Sequence, residues 1–336
     1  SFVNNTNVSG NDSDFSDVTQ FVNTMSMIIY SLVFVLGVLG NGVVIWVTGF
    51  KMKKTVNTVW FLNLAVADFL FTAFLPLSVT YIAMDSHWPF GKFMCKLNAM
   101  ILYLNMFASV YLLVVISVDR CVSVVLPIWA QNHRSVRKAS CVSLAVWVLA
   151  LIFSVPYFIF KDTAPSSNNR TITCVYNYAL PNDNKNPSVN QLRRMRLQVM
   201  TIGRFLLRFV VPFTIIIFCY AAIILRLRKK HPLPSQSSRP FRIIAAVIIT
   251  FFLCWAPYHI QDLVEMMMFH TTDFFSPSLH KRFNIPHQIT SSLAFINSCL
   301  NPLLYVFIGQ NYKAEIRKSF LKVMERAFVE SSTGTH

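Results

Sequence analysis

Charged side chains are scarce in this sequence, at 13% of 336 residues, while hydrophobic ones reach 54%. That ratio excludes one or two water-soluble domains of this length, because too little polar surface is available to cover them. Glycine is rare too, with nine in the chain, and the short alternating segments of a membrane β-barrel are missing. Acidic residues number 14 against 30 Lys and Arg, a formal charge of +16. The basic residues sit between apolar runs, which fits membrane topology and gives nucleic-acid binding no support. No hydrolytic triad or metal-ligand spacing stands out, so the chain is not expected to be an enzyme. Internal repeats and low-complexity segments are also lacking.

What the chain does have is apolar length. Thirty Phe and six Trp suit helical surfaces that face lipid. Seven stretches can cross a bilayer, at 25–49, 57–84, 92–126, 140–160, 197–226, 240–270 and 284–309. The expected fold is all-α: a seven-helix transmembrane bundle over 25–309, after a terminus at 1–24 and before an amphipathic helix and tail at 310–336. Basic clusters fall between stretches one and two (Lys51, Lys53, Lys54), three and four (His133, Arg134, Arg137, Lys138) and five and six (Arg226, Arg228, Lys229, Lys230, Arg239, Arg242). By the positive-inside rule those connections are cytoplasmic. The first 24 residues contain no Lys or Arg but carry Asp12, Asp14 and Asp17, with Asn-x-Ser/Thr sequons at Asn4, Asn7 and Asn11. That end is expected outside the cell and glycosylated, and an odd number of spans then puts the C-terminus inside. No cleavable signal pattern precedes the first stretch.

Five cysteines, Cys121, Cys141, Cys219, Cys254 and Cys299, fall in or beside apolar stretches. Cys95 and Cys174 alone map to the outer side, so those two are expected to pair. The bridge would hold the second outer loop, which has its own sequon at Asn169, over the bundle as a lid or simply staple it; the two readings are compatible. After the seventh stretch, Tyr312, Ile316, Phe320, Val323 and Phe328 interleave with Lys313, Arg317, Lys318, Lys322 and Arg326. This is the pattern of a basic amphipathic helix lying on the lipids of the inner leaflet.

Seven spans allow a transporter, a pump or a receptor, and the polar residues inside the stretches must decide. Stretch two carries Asp68 in Asn63-Leu64-Ala65-Val66-Ala67-Asp68, and stretch three ends in Asp119-Arg120-Cys121. Stretch six carries Cys254-Trp255-Ala256-Pro257, and stretch seven Asn301-Pro302-Leu303-Leu304-Tyr305. With Asn41, Trp147, Pro212, Tyr220 and an Arg120 twenty-five residues after Cys95, these positions resemble the signature set of rhodopsin-like G-protein-coupled receptors over about residues 25–326. A transporter should show paired broken helices and repeat symmetry, and the sequence has neither. A decoy receptor that binds without signalling is the other alternative, opposed by the intact Asp119-Arg120 and Asn301-Pro302. The runs Phe50-Lys51-Met52-Lys53-Lys54-Thr55-Val56-Asn57, His87-Trp88-Pro89-Phe90-Gly91, Pro127-Ile128-Trp129-Ala130-Gln131-Asn132-His133-Arg134 and Phe252-Leu253-Cys254-Trp255-Ala256-Pro257-Tyr258-His259 are similar to those of leukocyte chemoattractant receptors. That branch includes chemerin-like, formyl-peptide, anaphylatoxin and chemoattractant prostaglandin receptors.

Pro212, Pro257 and Pro302 each remove a backbone hydrogen bond inside an apolar helix and create a hinge. Asp68 needs a partner in the membrane, and Asn41, Asn105, Ser109, Asn297, Ser298 and Asn301 can surround it. The resemblance implies a resting-state sodium ion on Asp68, Asn105, Ser109, Asn297 and Asn301, a hard cation on oxygen ligands; the other reading is a hydrogen-bonded polar core. It also implies an adjacent Asp119–Arg120 ion pair that opens when helix six swings outward, freeing Arg120 to meet a G protein. Trp255 would repack beneath the ligand, and Tyr220 and Tyr305 would reorganise near Arg120; ordinary core packing is the alternative for these aromatics. Cys121 replaces the usual Tyr after this Arg.

The resemblance also limits the ligand. Phe295 stands where light-sensing members carry a retinal-binding Lys, and Leu102 where amine receptors carry Asp. Arg204 and Arg208, four residues apart on one helix face, call for an anion, either a carboxylate-bearing ligand or an internal partner, Asp262 or Glu265. Tyr103 replaces the Asp of formyl-peptide receptors, and the N-terminal segment has no Tyr for a sulfotyrosine cluster. The expected pocket is Tyr103, Arg204, Arg208, Tyr258, His259, Asp262, Glu265, His287 and Ser291. The reading is a plasma-membrane receptor for a small peptide or an acidic lipid that signals through an inhibitory-type G protein. Arrestin and a receptor kinase are further expected partners, with Ser331, Ser332, Thr333 and Thr335 as kinase targets.

Overall fold

A computed structural model describes residues 7–166, 170–179, 188–229, 239–271, 277–308 and Lys318. The expected amphipathic helix after residue 309 lies outside the described residues except for Lys318, and so do Asn4 and Asn169. Helix α1 (Asn7–Trp46) runs into a π-helical turn, Val47–Lys51. Helices α2 (Val56–Ala83) and α3 (Gly91–Val125) follow, then a short α4 (Pro127–His133) and α5 (Val136–Phe160). An antiparallel hairpin pairs β1 (Lys161–Pro165) with β2 (Ile172–Tyr176), with Thr163 opposite Cys174. The fifth span is α6 (Val189–Phe205) and α7 (Val211–Lys229) joined by a π turn, Leu206–Val210, and the last two are α8 (Arg239–Thr271) and α9 (Pro277–Ile308).

Local chemistry sets these boundaries. The Thr55 and Thr58 side chains cap one another's backbone N–H groups at the start of α2, at 3.2 and 2.8 Å. Gly91, at φ +78°, makes the turn into α3 that a residue with a side chain adopts only with strain. Helix α1 begins at Asn7 rather than near residue 25, because no glycine or proline interrupts the chain between Gly10 and Gly37. The fifth span likewise starts before the expected residue 197, so Arg193, Arg194 and Arg196 lie on α6.

Among the described residues, six segments are long and apolar enough to cross a bilayer. The seventh span, α9, is the polar one: Ser291, Ser292, Asn297, Ser298 and Asn301 on it are all buried. The molecule is therefore apolar on its outer surface, and its polar groups are gathered inside, within a mostly apolar core. Phe218, Leu253 and Leu144 are 74%, 68% and 66% exposed, whereas Asp68, Asn41 and Thr72 are fully buried. Lipid solvates the first group; in the second, Asp68 is met from α3 and α9, Asn41 from α1 and α9, and Thr72 by carbonyls of its own helix.

Close helix contact fixes the first two spans. A Cβ on Gly37 would lie 2.4 Å from Cγ2 of Thr72, so only glycine lets α1 approach α2 there. Gly37→Ala is expected to cost about 1–3 kcal/mol, read as a lower melting midpoint of the purified protein, with Thr72→Ala recovering part of the loss. Equal midpoints for wild type and Gly37→Ala would contradict this packing.

Candidate functional site

The hairpin covers one end of the bundle. Cys95 at the start of α3 is bonded to Cys174 in β2, with Cα atoms 5.8 Å apart. Lys92 pairs with Asp162 at 2.9 Å, and the Trp88 backbone N–H donates to Ile172 O at 2.7 Å. So tethered, β2 delivers Tyr176 into the bundle, where its hydroxyl donates to that of Tyr103 at 3.1 Å.

Tyr103 is the hub of this end. Its ring stacks on Tyr157 with centroids 3.5 Å apart, and its hydroxyl accepts from Arg204 Nη1 at 2.6 Å. The Arg204 guanidinium lies 5.6 Å from the Tyr103 ring centre and 5.9 Å from those of Tyr157 and Tyr258. Its charge is met by Asp262 from α8, with Nη2 and Oδ2 2.8 Å apart. The two charges touch without an aligned hydrogen bond, since Arg204 Nε and Asp262 Oδ2 lack a hydrogen-bond partner among the described residues. Of the two acids expected as internal partners, Asp262 takes the role. Glu265, one turn along, is within electrostatic reach of both.

Arg208 sits one turn deeper, on the π turn, and is 1% exposed. Its Cζ lies over Trp255 at 5.1 Å and over Phe107 at 5.7 Å. None of its three side-chain nitrogens has a hydrogen-bond partner among the described residues. The other expected pocket residues surround this pair unevenly. Tyr258 packs on Trp255 at 5.8 Å and on His287 at 5.6 Å, and Ser291 is buried on α9. His259 packs against Phe205 and Phe209 of the fifth span. Tyr157, Tyr176 and Phe107 complete the cage; nothing in their spacing along the chain distinguished them from ordinary aromatics.

Halfway along the bundle, Asp68 accepts from Asn105 Nδ2 at 3.0 Å and from Asn301 Nδ2 at 2.8 Å. Spans two, three and seven thus meet on one carboxylate. Ser109 is 3.5 Å from the same Asn105 amide, and Asn41 turns to the carbonyls of Gly37 and Ser298. Asn297 Oδ1, Asn301 Oδ1 and Ser298 Oγ are buried oxygens without partners among the described residues. No group of three or more His, Cys, Asp or Glu able to hold a metal occurs among the described residues. A carboxylate beside uncommitted oxygens is a donor set that suits a hard monovalent cation.

At the opposite end, the expected Asp119–Arg120 pair is replaced. Both Asp119 oxygens go to Arg134, from Nε at 2.8 Å and Nη2 at 2.9 Å. Arg134 follows the short helix α4, so this fork ties the connection after α3 back to α3 itself. Its Nη2 also reaches Asn57 Oδ1 at 2.8 Å, the same oxygen that Arg120 contacts. Arg120 is 8% exposed, and Tyr220, whose hydroxyl has no hydrogen-bond partner among the described residues, lies within its electrostatic reach. Trp255 is buried, its Nε1 without a partner among the described residues, and Pro302 is buried as well. The Pro302 ring lies where a Cβ on Gly40 would come within 3.1 Å. Pro257 falls in the middle of α8; the Tyr305 side chain, like those of Asn7 and Asn11, is not among those described.

An aromatic cage around two arginines under a tethered hairpin, a polar centre and a buried arginine at the far end are the features of a seven-helix membrane receptor. Residues 40–305 match the model of the 7 transmembrane receptor (rhodopsin family), and the chain belongs to that family. It is similar to the chemerin-like receptor 1 of Rattus norvegicus, 48% identical over 292 residues, covering 85% of this chain and 76% of that one. The chemerin-like receptor 1 of Homo sapiens is 48% identical over 85% of this chain and 75% of its own length. The N-formyl peptide receptor 2 of Pongo pygmaeus is 41% identical over 93% and 88%. The chain is thus a class A G-protein-coupled receptor of the leukocyte chemoattractant branch, a multi-pass membrane protein with an extracellular ligand and a G protein as partners.

Releasing Asp119 should loosen the Arg120 end. Arg134→Ala is expected to raise ligand-independent nucleotide exchange on a G protein about threefold to fivefold, with Arg134→Lys in between. Unchanged basal exchange would show that the fork does not restrain activation.

Proposed function

We propose that this chain is a plasma-membrane chemoattractant receptor, with its N-terminus and hairpin end outside the cell, that holds a small peptide or acidic lipid by a carboxylate and activates an inhibitory-type G protein. The observation that carries the ligand reading is the imbalance between the two arginines. Asp262 answers Arg204 at 2.8 Å, whereas Arg208 is buried among aromatic rings with no acceptor among the described residues. A guanidinium does not lose its proton in a protein, so its charge must be met by an anion or a π face. The named relatives, chemerin-like and N-formyl peptide receptors, supply the first probes to try.

The signal path follows from the same side chains. A carboxylate that enters between Tyr103 and Tyr258 and settles on Arg208 also draws on the neighbouring Arg204, weakening its pair with Asp262 and loosening the tie between spans five and six. Trp255, against Arg208, shifts with it, and the Pro257 hinge converts that shift into a swing of α8. At the far end Arg120 leaves Asn57 and meets the G protein, and arrestin and a receptor kinase act on the same face. Asp68, Asn105, Ser109, Asn297 and Asn301 would hold a sodium ion in the resting state. When bound, that ion supplies positive charge to Asp68 and ties spans two, three and seven together.

The test compares a ligand acid with its methyl ester in cells reading inhibitory G-protein activation, starting from chemerin-type and formyl peptides. Loss of one charge-assisted contact is expected to weaken potency about tenfold to a hundredfold. Equal potency of acid and ester would remove the carboxylate from the account.

A further inference from the structure

Arg208 differs from every other arginine of the bundle interior. Arg204 has Asp262 and the Tyr103 hydroxyl, and Arg120 has Asn57. Arg208 has two aromatic faces and nothing at its edge: Nε, Nη1 and Nη2 are buried without a hydrogen-bond partner among the described residues. The groups coupled to it electrostatically include Tyr258, Tyr157 and Tyr103, the like-charged Arg204, and Tyr111 and His259, and none of them is a carboxylate. Rings over the plane of a guanidinium stabilise its charge, but they leave its in-plane N–H donors unanswered. The Tyr111 hydroxyl, within electrostatic reach, donates to Leu207 O at 3.0 Å and its oxygen accepts nothing from Arg208. A charge this deep, in a medium that cannot hydrate it, requires a counter-ion more strongly than it requires a further ring.

We infer that Arg208 is a small-monoanion site in its own right, occupied in the ligand-free receptor by chloride or a short carboxylate and vacated for the acid group of the ligand. Only a compact monoanion suits the place. Phe107 and Trp255 enclose the guanidinium, and its nitrogens are closed to solvent. An anion therefore reaches them by displacing the edge of one ring, which links occupation of the site to the packing of Trp255. The receptor would then carry two ion sites of opposite sign along its axis, a cation at Asp68 and an anion at Arg208. This rests on the ligand reading above only for the final exchange of one anion for another; the resident anion is required whatever the ligand.

The test uses purified, ligand-free full-length receptor in lipid nanodiscs at constant ionic strength, with gluconate replaced stepwise by chloride. A second series replaces it by acetate. Binding to the folded state alone raises its stability, so the melting midpoint should climb by about 2 °C or more between zero and roughly 0.15 M chloride and then level off. A rise with chloride assigns the resident ion to the halides, and a rise with acetate alone assigns it to short carboxylates; either supports the site. Arg208→Met should be indifferent to both anions. Should that variant not be recovered folded, Arg208→Lys replaces it, with at least a twofold higher chloride concentration needed for half the shift. Midpoints that ignore both anions in the wild type, a shift that persists in Arg208→Met, or an unaltered midpoint concentration in Arg208→Lys would each overturn the proposal. A chloride shift found together with equal potency of ligand acid and ester would leave the anion site standing and remove only the ligand reading.

Discussion

Arg204 and Asp262 face each other at 2.8 Å, both largely withdrawn from solvent, and that constraint governs the rest of the receptor. Burying one charge alone in such a place costs several kcal/mol, and breaking an established buried pair costs about 3–5 kcal/mol. Three ionisable groups inside the bundle are accordingly matched across a helix boundary, and Arg208, held between aromatic rings, is an exception among the described residues. Arg204 joins spans five and six, Asp68 joins two, three and seven through Asn105 and Asn301, and Asp119 joins span three to the connection after α4 through Arg134. Lipid-facing leucines and phenylalanines do not choose between helix arrangements, because tails solvate any of them equally. The polar matches do choose.

A device held by a few discrete matches has discrete alternatives. Aromatic packing fills the space between them: Trp255 touches Phe251, Tyr258 and Arg208, so the ring cannot move without changing what the guanidinium meets. Pro257, within α8, weakens the helix just past that ring. In the signal path proposed above, exchange of an anion at the hairpin end is connected in this way, through one side chain and one hinge, to the position of α8 at the Arg120 end. The tethered hairpin belongs to the same circuit, since Tyr176 reaches Tyr103 and Tyr103 reaches Arg204.

Much of this could be read along the chain. Hydropathy located the spans because bilayer thickness imposes a length that no other environment does, and lone polar residues such as Asp68 and Arg120 stood out against that background. The Cys95–Cys174 bridge followed from topology. Arg134 as the partner of Asp119 did not, because a fork closing across the short helix α4 has no fixed period in sequence, and the neighbouring Arg120 is the simpler candidate. Nor did the cage: Tyr157 and Tyr176 come from different elements, and only the fold puts both beside Tyr103. The choice between Asp262 and Glu265 was equally hidden, since both lie on α8 one turn apart and a fraction of a helical turn decides which carboxylate meets Arg204. The early start of α1 escaped because polarity before residue 25 hid a segment that contains nothing to stop a helix.

The central claim is that matched charges across span boundaries hold the resting arrangement, and reversing one match tests it most directly. Arg204→Asp and Asp262→Arg, alone and together, would be compared by melting midpoint of the purified ligand-free receptor. The account predicts that each single change lowers the midpoint and that the double change recovers most of the loss, a coupling of about 1 kcal/mol or more. Losses that simply add, with no recovery in the double variant, would contradict it.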